Sequence, residues 1–267
     1  MRAEPEQGPL GRRFLRLAVL NIVSNLMVPL AGLVDMALLG HLPDIRHLAG
    51  VALGSILFDY VYWTFGFLRM ATTGLTAQAV GRRDADEVLV TALRGWCLGL
   101  SLAVGILLLQ GPIAQVGFWV IGGEQGAEAA GLAYFHARIW GAPATLLNFV
   151  FLGWFLGREQ AGRALLLSLV GNGANVLLDW IFIFRLGWAA QGAGWATALS
   201  QYLMLACALA LAARELHPSH LRRLLPRALV GEGLKETFAL NRDILVRTLA
   251  LISVFAAFTN VASTLGT

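Results

Sequence analysis

ALLLSLVGNGANVLLDWIFIF, residues 164–184, decides the fold class. A helix rises 1.5 Å per residue, so a run of this length reaches about 31 Å. That matches a bilayer's hydrocarbon core of about 30 Å, whereas a membrane β-strand needs only about ten residues. The segment therefore reads as a membrane-spanning helix. It is not uniformly apolar: Asn172, Asn175 and Asp179 stand at i, i+3 and i+7 and form one polar stripe. A charged carboxylate near the bilayer centre costs at least about 2.5 kcal/mol on insertion scales, so it faces a polar cavity, is paired, or carries a proton. Amides beside a carboxylate suit a proton or a small cation such as Na⁺. The alternative is that the stripe hydrogen-bonds a neighbouring helix.

Outward from this helix, apolar runs recur at 14–39, 48–70, 88–110, 129–157, 188–213 and 244–265. The 267 residues are 57% hydrophobic and only 13% charged, too few charges to solvate a soluble body of this size. A soluble domain is excluded. The expectation is an all-α, polytopic membrane protein with seven helices and no barrel, because the runs are too long for barrel strands. Cys97 and Cys207 lie inside apolar runs and read as packing residues, not as a disulfide framework. Nineteen of the twenty basic residues are Arg, and they concentrate between the spans. With a cytoplasmic N-terminus, fifteen fall on the cytoplasmic side, Arg46 and Arg185 fall outside, and Arg69, Arg138 and Arg247 lie near or within the membrane. That asymmetry orients the chain in the inner (cytoplasmic) membrane and gives no reason to invoke nucleic acid.

The connection 214–243 is the longest and most charged. It is read as a cytoplasmic linker between a six-helix lobe, 1–213, and a seventh helix in 244–267. Arg16 to Gly40 and Arg242 to Gly266 both span 24 positions, so the seventh helix reads as the first helix of a second, truncated lobe. Internally repeated halves are common in secondary transporters.

Two further acidic residues lie within spans. Asp35 is 19 residues beyond Arg16, about 28 Å along its helix, at a depth that Asp179 can share. Pro29 can bend that helix. Asp59 lies mid-span beside Tyr60, Tyr62 and Trp63, either as part of a cation-attracting wall or paired with an Arg. Arg138, five residues before Pro143, pairs with a carboxylate or meets substrate. His41, Asp44 and His47 lack a third firm ligand, so no metal centre is expected there. The small-residue runs at Gly171–Ala174 and Gly192–Gly194 would let the fifth and sixth helices approach closely.

These residues carry a resemblance. The run from Pro29 to Leu42, the run from Phe67 to Ala79 and Asn241-Arg242-Asp243-Ile244 resemble the MATE (multidrug and toxic compound extrusion) family in its DinF branch. The resemblance implies twelve helices in two lobes and cation-coupled export of organic compounds through the cleft between them. It implies a proton or Na⁺ coupling site made by Asp35, Asn175, Asp179 and Thr197, with Tyr134 toward the substrate cavity; Asn172 of the polar stripe and Asp59 are assigned to that cavity by their own positions. The expected activity is H⁺- or Na⁺-coupled antiport of cationic or amphiphilic toxic compounds. The expected protein is not an enzyme, uses no cofactor beyond the coupling ion, and is monomeric at full length. Leu20 stands where many relatives carry proline, and Asp59 replaces a more usual neutral polar residue. Two other readings are a lipid-linked saccharide flippase, which would favour a more basic cavity, and an intramembrane aspartyl protease. For the latter, neither Asp35 nor Asp179 has glycines in the Gly-x-Gly-Asp pattern.

Overall fold

The computed structural model describes residues 32–213, 215 and 218–229, together with isolated positions between 15 and 26 and at 242, 243 and 246. These residues hold no strand. The helices are α1 (32–40), α2 (Ile45–Phe65), α3 (Phe67–Gly81), α4 (Ala85–Leu108), α5 (Gln110–Ile121), α6 (Gln125–Arg138), α7 (Ala142–Gly157), α8 (Ala161–Asp179), α9 (Ala189–Ala212) and α10 (Pro218–Leu229). Among them, five runs are long and apolar enough to cross a bilayer: Ile45–Gly81, Ala85–Leu108, Gln125–Gly157, Ala161–Arg185 and Ala189–Ala212. The expected seventh span falls almost wholly outside the described residues.

Two boundaries differ from the sequence reading. The second span does not end near residue 70: Gly66 keeps helical angles, φ −57° and ψ −20°, so α2 runs on into α3 as far as Gly81. Residues after 110, expected as loop, form α5, which Gly122 ends at φ +67°, a conformation open to glycine. Local chemistry sets the other starts. Asp44 caps α2 by accepting from the Arg46 amide at 2.9 Å, and Asp84 caps α4 by accepting from the Glu87 amide at 2.9 Å.

The α2–α3 run packs parallel to the α6–α7 run, and glycines close the seam at both ends. At one end Gly50 and Gly54 lie so near α6 that a Cβ on Gly50 would come 2.6 Å from the Ala127 carbonyl, and one on Gly54 2.5 Å from the Tyr134 ring. At the other, a Cβ on Gly153 or Gly157 would fall 2.6 Å from the carbonyls of Arg69 or Thr73 in α3. Lipid supplies no hydrophobic drive between helices, so this backbone approach and its dispersion contacts hold the seam. The seam is irregular at its middle: α6 passes through a 3₁₀ turn, Ile139–Gly141, into α7, whose first turn contains Pro143.

The fifth and sixth spans do pack together through small residues: Gly171 meets α9 at Met204, and a Cβ on Gly192 would come 3.1 Å from the Phe182 carbonyl of the fifth span. Not every glycine of the two runs serves that contact, since a Cβ on Gly173 would touch nothing within 4 Å and Gly194 lies against Tyr134 and Ala137 of α6. Helix α9 sits between α8 and α6, so its small face is shared by two neighbours.

One core gathers Val51, Leu57, Phe58, Phe118, Phe135, Ile139, Leu146 and Ile183. A second, toward the turn at 82–84, gathers Leu89, Leu93, Phe151, Trp154, Phe155 and Leu167 and takes in Leu224 and Ala228 of α10. Helix α10 thus occupies part of the stretch read as linker and packs on α4. Arg94, 7% exposed, reaches across to it, donating to the carbonyls of Arg227 and Ala228 at 3.4 Å and to Glu87 at 2.7 Å. Arg223 pairs with Asp86 and Arg227 with Glu87, both at 3.0 Å, and Arg158 and Arg163 pair with Glu215.

Candidate functional site

Asp179 is the last α-helical residue of α8, and Trp180–Arg185 continue the run as a π-helix. Such wide turns in helices are frequent at functional sites. Asp179 is fully buried, and α1 brings Asp35 to it so that the two carboxyl groups meet within hydrogen-bonding reach. An ionised carboxylate only accepts, so two of them can be bonded to each other only through a proton. The Oδ1 of each is buried without another donor among the described residues.

Asn175, one turn before Asp179, donates its amide to Asp179 Oδ2 at 2.8 Å and approaches Thr197 Oγ1 of α9 at 3.5 Å. The Thr197 hydroxyl donates to the Ala193 carbonyl at 2.9 Å, leaving its lone pairs toward Asn175. Four of the expected residues, Asp35, Asn175, Asp179 and Thr197, therefore form one connected group drawn from three helices.

The others are placed differently. Asn172 donates back to the Ser168 carbonyl at 2.8 Å, so this member of the stripe is tied to its own helix. Asp59 is exposed on α2. Tyr134 is buried, accepts from Arg138 Nη1 at 2.5 Å and lies 3.2 Å from Ser55 Oγ. Arg138 lies at the α6–α7 joint with its guanidinium 4.5 Å from the Phe58 ring centroid, 5.5 Å from that of Tyr134 and 6.0 Å from that of Tyr62.

Thr197 joins this region to the acidic pair. With Tyr62, Arg138, Gly141, Thr145, Ala198 and Gln201 it lines a cavity of about 50 Å³, room for a water or two. Gln201 is fixed by Asn148, whose amide donates to its backbone carbonyl at 2.9 Å and to its Oε1 at 3.0 Å. Sequence reasoning did not find Ser55, Thr145, Asn148 or Gln201. The available signal was spacing: Gln201 follows Thr197 by four and extends the polar face of α9 by one turn.

The MatE family profile matches residues 21–181. The chain is 36% identical over 259 residues to DNA damage-inducible protein F of Escherichia coli (strain K12), covering 94% of this chain and 54% of that protein. It is 28% identical over 179 residues to a probable multidrug resistance protein NorM of Acinetobacter baylyi, covering 65% of this chain and 39% of that one. Among solved structures, a MOP superfamily transporter from Pyrococcus furiosus superposes with a TM-score of 0.77 at 25% identity, covering 93% of this chain and 55% of that chain. The chain thus spans about half the length, or less, of these relatives. Residue match, all-helical architecture and membrane-length runs agree: the chain belongs to the MatE family of multi-pass membrane transporters.

Proposed function

We propose that this chain forms the N-terminal lobe, 1–213, of an antiporter that exports cationic or amphiphilic organic compounds in exchange for H⁺ or Na⁺. Asp35, Asn175, Asp179 and Thr197 form the coupling site. The observation that carries this reading is the meeting of half-buried Asp35 with fully buried Asp179 in a hydrogen-bonded group built from α1, α8 and α9. Two carboxyls that share one proton change their joint charge when a cation arrives or leaves. Their helices then experience different forces in the two states, which is what exchange against a substrate requires. Tyr134, Asn172 and Asp59 belong to the substrate side of the lobe, Asp59 from the exposed surface of α2 and Tyr134 from beneath the surface through its contact with Arg138. The stretch 214–243 links this lobe to a second one, which supplies the far wall of the cleft. The N-terminus is cytoplasmic, the host membrane is the inner membrane, and the working unit is a monomer.

A flippase for lipid-linked saccharides would need several basic groups to hold diphosphate, whereas Arg138 is the one basic side chain among the residues lining the cavity. The test uses the full gene product in liposomes, with efflux of an organic dye driven by an imposed pH or Na⁺ gradient. Asp35→Asn and Asp179→Asn each abolish driven efflux at matched incorporation. Wild-type rates in both would remove these residues from the mechanism.

A further inference from the structure

Arg138 is not explained by packing. A guanidinium is always charged at physiological pH, and a charge inside a membrane bundle is retained where it has electrostatic work. This one is fixed in place. Phe58, Tyr62 and Tyr134 surround it, Tyr134 accepts from its Nη1, and Ser55 of α2 lies against the Tyr134 hydroxyl. Among the described residues it takes part in no ion pair within 4 Å, and its Nε is buried without a partner. Its positive charge is therefore not neutralised by an ion pair among the described residues, and it lines the same cavity as Thr197, which leads through Asn175 to Asp179.

We propose that Arg138 is a resident counter-cation that makes the Asp35–Asp179 site a proton site and keeps Na⁺ out of it. This deepens the coupling-site reading and rests on it. Any arriving cation is repelled by the guanidinium, and the two candidate ions tolerate that repulsion unequally. A proton forms a covalent O–H bond, whose large intrinsic affinity survives an added Coulombic cost. Na⁺ forms no such bond and relies on several oxygen ligands supplied together, as hard cations do.

The site supplies few of them. The two Oδ1 atoms have no other donor among the described residues, but Asn175 turns its N–H groups toward Asp179 and Thr197. Across Thr197, the cavity that would have to open for a hydrated ion is walled by the guanidinium itself. The same repulsion thus leaves proton binding workable and pushes Na⁺ binding out of range.

The experiment measures ²²Na⁺ binding to the purified full gene product against a K⁺ control. The wild-type protein shows no Na⁺-specific binding at up to roughly 100 mM, and Arg138→Lys, which keeps the charge, behaves the same. Removal of a unit charge from the adjoining cavity wall strengthens cation binding by about tenfold to a hundredfold. Arg138→Gln therefore acquires Na⁺ binding, and adding Asp179→Asn abolishes it. Millimolar Na⁺ binding by the wild type overturns the proposal, as does a folded Arg138→Gln without Na⁺ binding. If Arg138→Gln does not fold, the wild type and Arg138→Lys still decide: Na⁺ binding by either refutes it, and none in both supports it. Efflux that survives Asp35→Asn and Asp179→Asn would refute the coupling site itself, a separate result from Na⁺ binding by a wild type in which those substitutions are inactivating.

Discussion

Replacing Gly157 by Ala adds a single carbon at the tightest part of the seam between α3 and α7. That carbon would stand 2.6 Å from the Thr73 carbonyl oxygen, 2.7 Å from Thr76 Cβ and 3.1 Å from the Ala77 nitrogen. Ordinary carbon contacts lie near 3.5–4.0 Å, so the last two turns of α3 must retreat by roughly 1 Å. Two of the three contacts are backbone, which cannot rotate away. Overpacking of this kind costs about 1–3 kcal/mol. Gly157 is the last residue of α7, so Ala recovers less than the roughly 0.5–1 kcal/mol it gains over Gly in a helix interior. The net expectation is a destabilisation of about 1–2 kcal/mol. Gly105 in α4 provides the control, since a Cβ there meets nothing within 4 Å. Gly105→Ala should be neutral or stabilising by up to about 1 kcal/mol. The assay is the monodisperse fraction remaining after heating in detergent, with both variants and wild type run together. Equal or greater stability of Gly157→Ala would refute the argument that backbone contact closes this seam.

Two further outcomes follow from the turn at 82–84 and its surroundings. Arg94→Met removes the donor to the Arg227 and Ala228 carbonyls and leaves Glu87 with less positive charge around it; α10 should loosen by about 2 kcal/mol, seen as faster amide exchange across 218–229, and unchanged exchange there would count against the Arg94 contact. In a background of Cys97→Ala and Cys207→Ala, cysteines introduced at Asp84 and Ser219 should be shielded in intact cells from an impermeant thiol reagent while one at Gln125 reacts, and the reverse pattern would invert the assigned topology.

Much of the candidate site was legible because membrane sequences make polar residues conspicuous. A carboxylate in an apolar run is costly, so Asp35 and Asp179 declare themselves, and helical periodicity alone aligns Asn175 with Asp179. The same logic could not say where neighbouring polar residues would sit. Asn172 shares the stripe, yet its amide is satisfied one turn back by the Ser168 carbonyl, an option open to any short amide on a helix. Asp59 was as conspicuous as Asp179, but the orientation of α2 leaves it exposed, and periodicity within one helix cannot say which neighbour its face meets.

The sequence by itself determined the class of solvent, and through it the class of structure: runs of membrane length force backbone groups to bond within their own helix, so only helices can result. It also determined which polar residues had to find partners. The tertiary structure alone decided who those partners are. That Gly50 and Gly54 admit α6, that Gly153 and Gly157 admit α3, and that α9 turns Thr197 toward Asn175 while α6 holds Arg138 against Phe58 are properties of pairs of helices. Such contacts depend on relative rotation and depth, which hydropathy does not encode because lipid and protein interior are equally apolar to it.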